Sequence, residues 1–266
     1  MEPFFAISRD PARPGLIPLP NATGSWSEST IRGPAIVLAL SRALEIEATA
    51  RPELRAVRAT FELHSPVPQR HLFGRSCVLR DGQRLLLAES ELVIDGDVYA
   101  RARGLFLRPG EEGASEGTQA ANCATPPCPP ERAARSAQGI LYWSEGSTWT
   151  PDRNRHRNAR RKAVWLTSHS LVMGEKLSAF GLAAAASDMS NLVVNLGKHG
   201  ISDINADVSL ALSRLPSGDG VGVATLARFA DSGIVSGSAV LFDRRGPFGT
   251  TSVSALPAFA GDSHSD

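Results

Sequence analysis

Two stretches of this chain are too apolar to lie on a protein surface. Pro34-Ala35-Ile36-Val37-Leu38-Ala39-Leu40 and Gly181-Leu182-Ala183-Ala184-Ala185-Ala186 are apolar on nearly every side of a helix, and such a helix has to be wrapped by other structure. They open on Gly33 and Gly181, about 148 positions apart, and the strand-like runs 59–68 and 207–216 fall in register at the same offset. One helix followed by three or four strands, given twice, predicts an α+β chain of two small units packed side by side, with function where they meet. The repeats differ at one informative point. The second helix carries Asp188 where the first has Leu40.

In the first unit Val57, Ala59, Phe61 and Leu63 alternate with polar neighbours, and Leu86, Ala88, Ser90, Leu92 and Ile94 do so again; this is the period of a half-buried strand. Asp81-Gly82 and Asp95-Gly96-Asp97 mark turns, and residues 98–107 supply a return strand. The second unit repeats the plan with a helix over 178–196 and strands near 163–166, 204–213, 221–230, 233–243 and 248–256. Turn signals at Ser217-Gly218-Asp219-Gly220, Asp231-Ser232-Gly233 and Arg245-Gly246-Pro247 separate them. Between the units, residues 109–138 change to Gly, Ser, Glu, Ala and Pro, including Pro126-Pro127-Cys128-Pro129-Pro130, without an apolar period. The expected division is a first unit 1–108, a flexible linker with a basic run 109–159, a second unit 160–258 and a disordered tail 259–266.

Charge argues against two partner classes. With 28 Lys and Arg against 27 Asp and Glu, the net charge of +1 gives no field that would draw the chain to nucleic acid or anionic lipid. No run of 18 apolar residues occurs, and Met1–Asp10 has an early acid and too little apolar length for a signal peptide. A cytoplasmic protein binding neither nucleic acid nor membrane is expected. Cys77, Cys123 and Cys128 have no histidine or second cysteine pair at ligand spacing, so they read as reduced thiols and not as a metal site.

Four stretches together resemble the acyl-CoA thioesterase II family (TesB-like, thioesterase-like superfamily). Trp26 with Ile31-Arg32-Gly33-Pro34 is similar to the family's tryptophan and His-Gly-Gly-Pro helix opening, with Ile31 and Arg32 replacing the histidine and first glycine. Val78-Leu79-Arg80-Asp81-Gly82-Gln83 through Val93 resembles its Arg-Asp-Gly hairpin, and Ala186-Ser187-Asp188 its helix with the catalytic aspartate. Ile204-Asn205-Ala206-Asp207-Val208-Ser209 with Arg214-Leu215-Pro216 resembles the strand that follows. The resemblance implies a double hotdog fold: two central helices, each wrapped by an antiparallel sheet. It also implies a water held by an aspartate, a threonine or serine, and a glutamine. Those positions fall here on Asp188, Asn205 and Ser254, and only the aspartate matches.

The residues support that chemistry to different degrees. A carboxylate on so apolar a helix is costly to bury unless it is paired or opens on a cleft, so Asp188 is the candidate base, with Asn205 and Ser254 orienting water. Strict alternation puts Asn205 and Asp207 on one strand face. Backbone N–H groups where the helices begin, at Gly33 or Gly181, would polarise a thioester carbonyl. The run Arg153-Asn154-Arg155-His156-Arg157-Asn158-Ala159-Arg160-Arg161-Lys162 offers Arg160 and Arg161 to the phosphates of coenzyme A or of a carrier-protein arm. The expected activity is hydrolysis of an acyl-CoA or carrier-protein-bound acyl thioester without a cofactor. The alternatives are a non-hydrolytic thioester-binding scaffold and a hotdog enzyme recruited for dehydration or acyl transfer, the former step with His64 in view. No Gly-x-Ser-x-Gly elbow or phosphate-binding glycine loop is present. Open sheet edges make a homo-oligomer the expected assembly.

Overall fold

The computed structural model describes residues 3–12, 14–24, 27–110, 125–131, 139–167 and 171–257. Trp26, Cys123, most of the 109–138 stretch and the tail 259–266 lie outside the described residues. In chain order the elements are β1 (Phe5–Ile7), β2 (Leu16–Pro18), helix α1 (Gly33–Ala48), β3 (Arg55–Leu63), β4 (Phe73–Asp81), β5 (Leu85–Ile94), β6 (Asp97–Leu107) and β7 (Ile140–Ser144). There follow β8 (Lys162–Thr167), helix α2 (Ala179–Asn195), the short β9 (Leu196–Gly197) and β10 (Gly200–Ile201), β11 (Asp203–Leu212), β12 (Gly220–Asp231), β13 (Ile234–Asp243) and β14 (Gly246–Pro257).

Local chemistry sets the boundaries. Helix α1 starts on Gly33-Pro34, a proline being tolerated where no intrahelical N–H bond is needed. At the start of α2, Ser178 Oγ accepts from the Gly181 N–H at 2.9 Å. Two tight hairpins need left-handed backbone, supplied by Asp95-Gly96 (φ 52° and 98°) and Ser232-Gly233 (φ 49° and 81°).

Ten strands form one antiparallel sheet in the order β4-β5-β6-β3-β11-β14-β13-β12-β8-β7. The two halves are therefore not merely adjacent: β3 and β11 hydrogen-bond each other, from Asp207 opposite Glu62 to Ala211 opposite Arg58. Exchanging the halves at the sequence offset turns the pair Thr60–Ser209 into Phe61–Val208, so the seam sits on an approximate two-fold axis. Helix α1 packs on β4, β5 and β6, α2 on β8 and β11 to β14, and the helices pack on each other. All of α2 except Ala179 and Leu192 is buried. The alanine run 183–186 permits this close packing, and Gly237 on β13 leaves room for Val194, which a Cβ there would meet 2.7 Å from Cγ2.

The interval 109–159, expected as a linker, contains ordered structure. Ile140–Ser144 pairs with β8 as an edge strand, and Arg153–His156 forms a 3-10 turn. The basic run is folded around two buried groups. His156 bonds Ser144 Oγ and Thr150 Oγ1, each at 3.1 Å, and Lys162 Nζ donates to Asn158 O at 2.7 Å. The apolar string Ile140-Leu141-Tyr142-Trp143 is a strand signal in its own right.

Candidate active site

Most polar side chains on α2 are satisfied within the fold. Ser187 Oγ donates to Ala184 O at 2.7 Å and Ser190 Oγ to Ser187 O at 2.6 Å. Asn191 Nδ2 donates to Asp203 O at 3.0 Å and Asn195 Nδ2 to Asn191 Oδ1 at 2.8 Å. Asp188 is the exception. It is 7% exposed, and among the described residues its one hydrogen bond is from Asn205 Nδ2 to Oδ1, at 3.3 Å. Oδ2 has no donor there.

What lies over that carboxylate is the start of the other helix. A Cβ at Gly33 would stand 2.8 Å from Asp188 Cγ and 2.8 Å from Oδ1, so only a glycine leaves the carboxylate its place. As the first residue of α1, Gly33 has an N–H without an intrahelical partner. No hydrogen bond engages it among the described residues. The carboxylate thus packs against the α-carbon of the residue that opens α1, at the positive end of that helix.

Electrostatics follow from burial. Desolvation raises the Asp188 pKa to about 6, against the lowering effects of the Asn205 hydrogen bond and the nearby Arg32 charge. Arg32 precedes Gly33, is half-buried, and its pKa is lowered by burial, opposed by Tyr142 and then Asp188. The Tyr142 phenol, on β7, is raised by burial, opposed by Arg153 and Arg32. The groups Asp188, Arg32, Tyr142 and Arg153 thus form a series of electrostatic neighbours leading from the interior to the exposed 3-10 turn.

The sequence-predicted residues divide. Gly33, Asp188 and Asn205 come together. Ser254 does not join them. It is exposed, its N–H donates to Asp207 Oδ1 at 2.6 Å, and the inward positions on either side of it are Val253 and Ala255, 2% and 3% exposed, while the inward Thr251 hydroxyl donates to Ser187 O on α2 at 3.4 Å. Asn205 and Asp207 do not share a face either. A bulge between them shifts the alternation, turning Asn205 inward to Asp188 and leaving Asp207 beside Ser254. Gly181 lies in a separate hollow of about 120 Å³ with Leu38, Glu45 and Ser178, where Ser178 Oγ donates to Glu45 Oε2 at 2.7 Å. Arg161 is spent on backbone, Nε to Thr225 O at 2.8 Å and Nη1 to Thr125 O at 2.7 Å, and Arg160 Nη1 donates to Glu145 O at 3.2 Å. Sequence reasoning missed Arg32 and Tyr142. Their signals were a cation directly before a buried helix, and a tyrosine in an apolar string.

No group of three or more His, Cys, Asp or Glu among the described residues could hold a metal ion. No described helix is long and apolar enough to cross a membrane.

The fold is the hotdog class. A conserved protein with a hot dog fold from Alicyclobacillus acidocaldarius is similar over 95% of this chain and 96% of that one, with a TM-score of 0.66 at 14% identity. More particularly, the fold is shared with thioesterases of the TesB kind. A provisionally assigned thioesterase from Novosphingobium aromaticivorans aligns over 97% of this chain and 100% of that one, with a TM-score of 0.67 and 22% identity. The acyl-CoA thioesterase II TesB2 of Mycobacterium marinum aligns over 86% and 91%, with a TM-score of 0.63 and 14% identity. No family model matches the sequence, and no curated protein matches it.

Proposed function

We propose that the protein hydrolyses an acyl thioester, with Asp188 as the base. The observation that carries this is a buried carboxylate, one oxygen of which has no donor among the described residues, packed against Gly33 at the start of the other helix. Ionised Asp188 takes a proton from water, Asn205 holds the carboxylate, and the Gly33 N–H meets the carbonyl oxygen as negative charge builds on it. The hotdog likeness to thioesterases supports the same reaction class. The substrate is an acyl-CoA or an acyl group on a carrier protein. Each helix with its half of the sheet is one hotdog, the two halves make a double hotdog, and copies of the chain associate through open sheet edges in the cytoplasm.

Release of free thiol from a panel of acyl-CoAs tests the reading: wild type should turn over, and Asp188→Asn should abolish release while remaining folded. A specific observation favours a second reading. The inward polar side chain of β14, Thr251, is engaged by α2, donating to Ser187 O at 3.4 Å, and the next inward residues are Val253 and Ala255, so the last strand offers no uncommitted polar side chain to the water, as in a scaffold that binds thioesters without cleaving them. Saturable binding of acyl-CoA with no thiol released would establish the scaffold.

A further inference from the structure

Three unsatisfied polar groups converge at the start of α1. They are the Asp188 Oδ2 acceptor, the Gly33 N–H donor and the Arg32 guanidinium, which has no hydrogen-bond or ion-pair partner among the described residues. A half-buried guanidinium that no group of the fold engages is left available to a bound ligand. The backbone that carries it is fixed on both sides: Arg32 N–H donates to Ala22 O at 2.9 Å, and Arg32 O accepts from Ala35 N at 3.0 Å and Ile36 N at 3.2 Å. Its side chain therefore leaves the chain at a defined place, one residue from the glycine that packs against the carboxylate. On the inner face of β14, Val253 and Ala255 are apolar and the Thr251 hydroxyl is engaged with α2, donating to Ser187 O at 3.4 Å.

We propose that Arg32 is a further catalytic residue, donating with the Gly33 N–H to the carbonyl oxygen of the bound thioester. This rests on the hydrolase reading above. Water adds to the carbonyl carbon as Asp188 removes its proton, and the carbonyl electron pair moves onto oxygen, where Arg32 and Gly33 hold it. Collapse of this intermediate re-forms the carbonyl and breaks the carbon–sulfur bond, and the proton on Asp188 passes to the departing sulfur. One water and one thioester give one carboxylic acid and one thiol. A guanidinium is suited to the task, because charge-assisted donation to a developing oxyanion is stronger than donation by a neutral group.

The experiment compares wild type, Arg32→Gln and Arg32→Lys for thiol release from hexanoyl-CoA across pH 5 to 9, with circular dichroism to confirm folding. Arg32→Gln should lower kcat about 100-fold, the scale of one lost oxyanion donor, with KM changed less than threefold. Arg32→Lys, which keeps a charge, should recover about tenfold of the loss. The rising limb of the pH profile should move upward in Arg32→Gln, because the cation that helps keep Asp188 ionised is gone. A fall in kcat with neither a displaced limb nor rescue by lysine would make Arg32 structural and overturn the inference, as would a full kcat or a change confined to KM. Should the glutamine variant fail to fold, the lysine variant decides: kcat within threefold of wild type and an unmoved limb would refute donor geometry at this position. A silent wild type condemns the hydrolase reading itself, whereas an active wild type indifferent to position 32 condemns only the role of Arg32.

Discussion

Replacing Asp188 by asparagine should make the protein more stable above neutral pH. An aspartate in an unfolded chain ionises near pH 3.8, and in the native protein Asp188 does so at about 6. The fold thus prefers the neutral carboxyl. Its contribution to stability is complete below about pH 3.8 and is lost as pH rises through 6. A displacement of about two units corresponds to about 3 kcal/mol at pH 8, each unit being worth about 1.4 kcal/mol. Asparagine cannot ionise, and its side-chain oxygen can still accept from Asn205. Its amide, however, meets Gly33 at close range, so a net gain of about 1–3 kcal/mol is expected at pH 8 and almost none near pH 4. Urea unfolding of both proteins at the two pH values measures this directly. Equal or lower stability of the asparagine variant at pH 8 would refute the reasoning, since it would mean that the ionised carboxylate is solvated or paired and not held under strain.

Other outcomes follow from the same geometry. Gly33→Ala should cut thiol release at least 100-fold, because its Cβ would displace the Asp188 carboxylate; near-native turnover would show that the contact is dispensable. Asn205→Val removes the one hydrogen bond that Asp188 accepts, and should move the rising limb of the kcat/KM profile above pH 6, read by thiol release between pH 5 and 9. Ser254→Ala should leave turnover within twofold of wild type, since the side chain faces out of the sheet; a large loss would return Ser254 to the site. Arg161→Ala should lower the unfolding midpoint without changing KM for acyl-CoA, because the guanidinium binds backbone carbonyls.

The two apolar helices were legible because so long a greasy surface has one physical outcome, burial, and the Asp-Gly and Ser-Gly turns were legible because left-handed backbone restricts the residues that fit. Asp188 could be singled out by the same logic, as the charge in the wrong solvent. Asn205 was found, but its direction depends on a bulge at Ala206 that no local pattern announces. Ser254 is instructive in the opposite sense. The alternation Thr251-Ser252-Val253-Ser254-Ala255 already places Ser254 on the face away from Val253, and the carry-over from the resemblance went against it. The basic run read as a phosphate-binding segment because sequence counts charges and not the backbone carbonyls that Arg160, Arg161 and Lys162 find after folding. Arg32 stood out only as a departure from the family's helix opening and had no role assigned, because its relevance arises from contact between helices about 150 positions apart.

Gly33 and Asp188 belong to opposite sides of the seam between β3 and β11, and the ladder there sets how the two halves slide along each other. Slippage by two residues would keep every side chain on its own face while carrying one helix about 7 Å past its neighbour. The junction therefore works as a ruler: hydrogen bonds remote from any chemistry fix the distance between an acid and the glycine it confronts, and a lengthened turn before either strand would disarm the protein without touching a single reacting atom.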